Sequence, residues 1–180
     1  TDAVLEIKLT ANRGDCLSHF GMAREVASGL GKPLRREKLD AAMRSFAAVK
    51  TESSPIRVEL VAGAEAPQFI GCLIEGVKIG PSPEWVQKRL EAIGQRPINS
   101  LVDATNFVMF ELGHPVHAYD ADSIRGAKIT VRKSAAGEVL PLLDGGEAEL
   151  TGSELVIADG ERAVGLAGVM GGGNSEVKES

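Results

Sequence analysis

Over about a dozen residues the chain brings together a hydroxyl, an amide and an imidazole. Thr105, Asn106 and His117 all stand in the run RPINSLVDATNFVMFELGHPVHAYD, residues 96–120. An amide and an imidazole can orient a carbonyl and a water, and the apolar residues around them supply dry walls. The set suits recognition of a small molecule, and hydrolysis of one that is already activated. No Gly-x-Ser-x-Gly elbow and no Cys–His pairing marks a nucleophile, so hydrolysis here means a positioned water, with no covalent intermediate.

Such a reaction also needs donors aimed at the developing oxyanion. Residues 165–173, GLAGVMGGG, have the small side chains that let backbone N–H groups approach a ligand closely. On composition alone the same run fits a bulged strand with a tight turn equally well. It lacks the lysine and the spacing of a phosphate loop. His114, His117 and Asp120 recur at every third position, which invites a metal ion. Pro115 interrupts any helix that would align them and neither cysteine is near, so no metal is expected there. Cys16 and Cys72 read as buried free thiols.

Helical and strand patterns surround these groups. Residues 4–9 (VLEIKL) alternate like a half-buried strand, and Leu17, Phe20, Ala23, Ala27 and Leu30 fall at helical spacing after a cap at Asp15 or Ser18. Residues 32–50 are basic and weakly patterned, a linker or an edge helix. A second unit begins near residues 51–55, with strand-like runs at 56–60 and 69–79. Ser82-Pro83 predicts a helix start, carried on by Val86, Leu90 and Ile93 and stopped at Gly94. Ser100 with Asp103 predicts a capping box, and Leu101, Ala104, Val108 and Leu112 the buried stripe of the next helix, closed by Gly113. Strands follow at 128–133, 139–143, 155–158 and 163–170, with Asp144-Gly145 predicting a type I′ hairpin. The class is α+β, antiparallel strands around a few amphipathic helices.

Bulk numbers narrow the function. With 43% hydrophobic and 25% charged residues over 180 positions, the chain can bury a full core, and it has no run near the ~20 apolar residues of a membrane span. Residues 1–50 hold nine Lys and Arg against six Asp and Glu, a net of +3, while the remainder is at −8. An acidic body cannot grip a phosphate backbone over a broad face, which excludes a purely electrostatic nucleic-acid binder for the larger part. Thr1 in place of a starter Met reads as a piece of a longer chain.

Four motifs then carry a resemblance. NRGDCLSHFGMAREVA at 12–27, SPEWVQKRL at 82–90, the run at 96–120, and LVIAD with GLAGVMGG over 155–172 cover nearly the whole chain in order. Together they resemble the β subunit of bacterial phenylalanyl-tRNA synthetase, through its central tRNA-editing domain. The resemblance implies a cytoplasmic α2β2 heterotetramer that charges phenylalanine tRNA, with aminoacylation, ATP and Mg2+ belonging to the whole enzyme and no cofactor to this part. It implies that residues 51–180 are an editing domain, C-terminally truncated, and that 1–50 end the preceding module and its linker. Such a domain hydrolyses tyrosine mischarged onto phenylalanine tRNA. The physical need is plain, because an apolar pocket rejects an added hydroxyl by only about a hundredfold.

By the same resemblance Asn106 and His117 hold the ester and its attacking water. Thr105, Pro115, Ala167 and Gly168 shape the substrate pocket, and the helix and the glycine run close around one hollow sized for a phenol ring. The family's acidic residue for the tyrosine hydroxyl is expected in a strand beyond Ser180. His114 stands where the family more often has Gln, and Tyr119 where it has Phe. Two other functions compete: a non-catalytic module for tRNA binding or subunit scaffolding, and a metal-dependent hydrolase using His114 and His117.

Overall fold

A computed structural model describes residues 3–47, 54–62 and 65–178. The chain divides into two compact units, each built from two stretches: Thr1–Glu52 with Ile79–Val116, and Ser53–Lys78 with His117–Ser180.

The first unit is helical. Ser18 caps α1 (His19–Gly29) by accepting from the Gly21 N–H, and α2 spans Glu37–Ala47. In α3 (Glu84–Ala92) Val86 and Leu90 are buried, as their spacing predicts. Ser82 does not cap this helix. Its hydroxyl donates instead to the buried carboxylate of Asp103, and its carbonyl accepts from Gln87 Nε2 at 2.6 Å. The cap of α4 (Ser100–Leu112) is likewise one residue earlier than expected. Asn99 Oδ1 accepts from the Leu101 and Val102 N–H groups at 3.1 and 2.9 Å. Asp103 is still the reciprocal member, reaching back to the Ile98 N–H at 2.8 Å. Two carboxylate oxygens thus tie the start of α4 to the start of α3, and a buried charge without such partners would be costly. Gly113 ends α4 in the left-handed region, φ 79°.

The stripe predicted to be buried on α4 is only half covered. Trp85 of α3 meets Phe107 edge-on, ring centroids 5.4 Å apart. Ala104 and Val108 line an open groove of about 260 Å³ beside them. Val108 and Leu112 stay 38% and 39% exposed.

The second unit carries the sheet, in the order β1-β2-β5-β6-β7. Its strands are β1 (Arg57–Leu60), β2 (Lys128–Lys133), β5 (Leu155–Ala158), β6 (Ala163–Leu166) and β7 (Met170–Gly171). β1 runs parallel to β2, and every other pairing is antiparallel. β3 (Val139–Pro141) and β4 (Glu147–Glu149) form a separate hairpin. Alternation along β2 and β5 sends Ile129, Val131 and Ile157 to one core with Ile124 and Val164. Val156 joins Leu140, Leu150 and Ala163 in a second core. β5 is buried on both faces, which explains its unbroken apolar run.

Three expectations change. The β3–β4 turn is not type I′: Gly145 N–H donates to Leu142 O, so Asp144 and Gly145 occupy the last two turn positions. Residues 4–9 and 69–79 form no strand among the described residues. The first alternates and the second is rich in strand-forming residues, but a strand exists only when an edge accepts its hydrogen bonds, and Leu5, Ile70 and Ile74 remain 80%, 79% and 67% exposed. Cys72, within the second run, is therefore exposed, whereas Cys16 is buried. No helix among the described residues is long and apolar enough to cross a membrane.

Candidate functional site

β6 and β7 are joined by Ala167, Gly168 and Val169, the turn closing through Val169 N–H on Leu166 O at 3.1 Å. Gly168 holds the third turn position with φ +71°, a conformation that favours glycine. Across the hairpin Gly165 pairs with Gly171 and Leu166 with Met170. Cross-strand partners present their side chains on the same face, so the Gly165–Gly171 pair leaves bare backbone there.

Two rings cover that bare patch. A methyl group built on Gly171 would overlap the His117 ring at Cε1 and Nε2 and stand 3.1 Å from Leu143 Cδ1. A methyl built on Gly165 would stand 3.5 Å from the Tyr119 hydroxyl. The two rings meet edge-on, centroids 4.6 Å apart and planes at 72°. Tyr119 continues into the core cluster of Ile129, Val131 and Val164. Burial pushes the Tyr119 phenol up to about 12. Burial of the ring also holds the His117 imidazole below its ordinary value, although the residue as a whole stays open to solvent. Around neutral pH His117 is therefore an uncharged imidazole, with one ring nitrogen to donate and one to accept.

The glycine run offers fewer free donors than its composition suggests. Ala167, Val169, Gly172 and Gly173 give their N–H groups to Leu155, Leu166, Val164 and Pro141 carbonyls. Gly168 N–H donates to none of the described residues and lies at the exposed turn. Ala167 is half-buried against the core cluster, so a large side chain there would press on packing as well as on any pocket.

The remaining expected residues belong to the first unit. Thr105 hydroxyl donates to Val102 O at 2.7 Å, an internal helix bond that occupies it. Asn106 is half-buried and its amide bonds to no described residue. Pro115 is exposed in the irregular segment after α4. Asp120, third member of the spacing that suggested a metal, caps a short turn by accepting from Asp122 N–H and Ser123 hydroxyl. Among the described residues the one cluster of potential metal ligands is Asp15, Cys16 and Glu25. There Arg13 already contacts Asp15 at 3.0 Å and Glu25 at 2.8 Å.

Sequence reasoning took Gly171 only as part of the glycine run and Tyr119 only as a departure from the family's Phe, and gave Leu143 no place at the site. A His-x-Tyr step facing two glycines placed symmetrically about an Ala-Gly turn is the signal that could have found the first two.

Comparison with known proteins follows the same lines. The family model of the B3/4 domain matches residues 65–180. The chain is 47% identical over 179 residues to the phenylalanine–tRNA ligase beta subunit of Bdellovibrio bacteriovorus, covering 99% of this chain and 22% of that one. It is 47% identical over 182 residues to the protein of that name from Geobacter metallireducens, with the same coverage. The corresponding protein of Geobacillus kaustophilus is 44% identical over 182 residues, again 99% of this chain and 22% of the relative. The chain thus spans about a fifth of the length of the relatives it matches.

Proposed function

The chain belongs to the B3/4 domain family, and on that premise we propose that it is the tRNA-editing part of a phenylalanine–tRNA ligase β subunit. Residues 51–180 are the editing domain in this proposal, and residues 1–50 close the module before it. The reaction is hydrolysis of the ester between tyrosine and phenylalanine tRNA. Water adds to the ester carbonyl carbon, the bond to the ribose oxygen breaks, and tyrosine and free tRNA leave. The whole enzyme, cytoplasmic and paired with an α subunit as α2β2, performs the ATP- and Mg2+-dependent aminoacylation elsewhere.

The observation that carries this reading is the His117 ring seated on the Gly171 backbone, in the hairpin whose turn is Ala167–Gly168, with burial of the ring lowering its proton affinity. A neutral imidazole accepts a proton from water through one nitrogen and donates to the carbonyl side through the other. Gly168 N–H is the free donor that a developing oxyanion can use. Ala167 and Gly168 leave space for an aromatic ring because neither has a side chain beyond Cβ. The resemblance assigns Asn106, Thr105 and Pro115 to the same reaction, and Asn106 brings an amide whose bonding capacity is unspent.

The test is deacylation of tyrosyl-tRNA by the whole ligase. His117→Ala is expected to slow it by roughly 10²–10⁴-fold, the usual contribution of a positioned acid–base group, while phenylalanine charging continues. Asn106→Ala should slow it in the same direction. Unchanged deacylation in both variants refutes the assignment.

A further inference from the structure

We infer that Tyr119 is the positioning residue of the editing site: it fixes the His117 ring on the glycine pair and shields that ring from water. The role of His117 rests on the function proposed above, but its placement by Tyr119 does not.

Three observations converge. The two rings are two residues apart and meet at 4.6 Å, so one cannot turn without moving the other. Each side chain reaches one member of a single cross-strand glycine pair, the Tyr119 hydroxyl at Gly165 and the His117 ring at Gly171. The anchorage is unequal. Tyr119 runs into the buried cluster with Val131 and Val164, whereas His117 is a surface residue held by Tyr119 and the backbone of β7. An exposed imidazole has several rotamers open to it, and the core-anchored neighbour is what selects one.

Desolvation is the one cause that lowers the His117 proton affinity, and the Tyr119 ring, meeting it edge-on at 4.6 Å between centroids, is a neighbour that excludes water from it. The other groups near His117 in this unit are accounted for. β6 and β7 present no titratable side chain. Asp144, next to Leu143, is turned to the Gly146 N–H at 3.0 Å. Asp120 is engaged in its own turn. The Tyr119 hydroxyl is the atom nearest Gly165, but the contact with His117 is made by the ring, so a phenylalanine ring keeps that contact.

The experiment is a proton NMR titration of the 180-residue chain, whose three histidines make His117 Cε1–H assignable. In the wild type, His117 Cε1–H is expected to show cross-relaxation to the Tyr119 ring protons and to titrate below the ordinary histidine value of about 6.5. Tyr119→Phe should leave both unchanged. Tyr119→Leu keeps apolar bulk in the core and should raise the titration toward the ordinary value. In the whole ligase, the Leu variant should lower kcat for tyrosyl-tRNA deacylation more than it changes KM and move the acid limb of the pH profile upward, with Phe matching wild type. Absence of the cross-relaxation in the wild type overturns the inference even if the Leu variant does not fold. So does a folded Leu variant that titrates like the wild type. If the titration behaves as expected but His117→Ala still deacylates normally, the placement stands and the proposed function fails.

Discussion

Replacing Gly171 by alanine tests the glycine cradle with a single methyl group. The built Cβ overlaps two atoms of the His117 ring, whereas carbon contacts settle near 3.5–4.0 Å. The ring must therefore retreat by on the order of 1 Å or more, because the strand backbone opposite is fixed by Gly165. Leu143 Cδ1, at 3.1 Å from the same methyl, needs to give only slightly. A misplacement of about 1 Å in a catalytic geometry costs about 10²-fold in rate, equivalent to about 2.7 kcal/mol of barrier. The fold should tolerate the change. Gly171 is not in the left-handed region, and a surface imidazole can swing outward. Deacylation of tyrosyl-tRNA by the whole ligase should fall about 100-fold with phenylalanine charging intact and thermal unfolding of the 180-residue chain little altered. Deacylation within about threefold of wild type would refute the placement of the ring as a catalytic determinant.

Other outcomes concern the elements that hold the site. Ser82→Ala strips one partner from the buried Asp103 carboxylate and should cost about 1–3 kcal/mol, read as a lower melting temperature of the 180-residue chain. Asn99→Ala removes both cap bonds of α4 and should cost about 1 kcal/mol in the same measurement. Glu138, beside the Arg132 guanidinium and bonded by the Ala135 and Ala163 N–H groups, is held at about 2 against an ordinary 4.5. A depressed carboxyl contributes stability above its unfolded value and loses it as pH falls through the folded one. Stability should therefore drop by up to about 3 kcal/mol between about pH 5 and 2. Glu138→Gln should be less stable at neutral pH and show a flatter acid limb in chemical denaturation; an unchanged acid limb would contradict the pairing.

What the sequence made legible was whatever depends on local chemistry. The Ser18 cap, the Gly94 and Gly113 stops, and the burial of Val86, Leu90 and β5 follow from side-chain type and period, and all are present. The errors lie where a distant partner decides. Ser82 has the chemistry of a cap, but a buried carboxylate twenty-one residues away competes for its hydroxyl and wins. Asn99, bracketed by proline-rich and apolar residues, carries the cap that Ser100 was expected to hold. Residues 4–9 have strand periodicity and 69–79 strand-like composition, yet neither can supply the neighbouring edge. His117 drew notice in the sequence from its turn context, as a candidate. The reason residue 171 must be glycine emerged only from the structure, which sets it opposite Gly165 and directly beneath the His117 ring.

The central claim is that His117 meets the ester, and the most direct measurement is a crystal structure of the whole ligase with a 3′-tyrosylamido-adenosine, in which a stable amide replaces that ester. The carbonyl of the bound analogue, or the water beside it, is predicted to lie within about 2.6–3.2 Å of a His117 ring nitrogen, with the phenol ring beside the Ala167–Gly168 turn. A fully occupied analogue whose carbonyl lies out of reach of that ring, directly or through one water, would contradict the account.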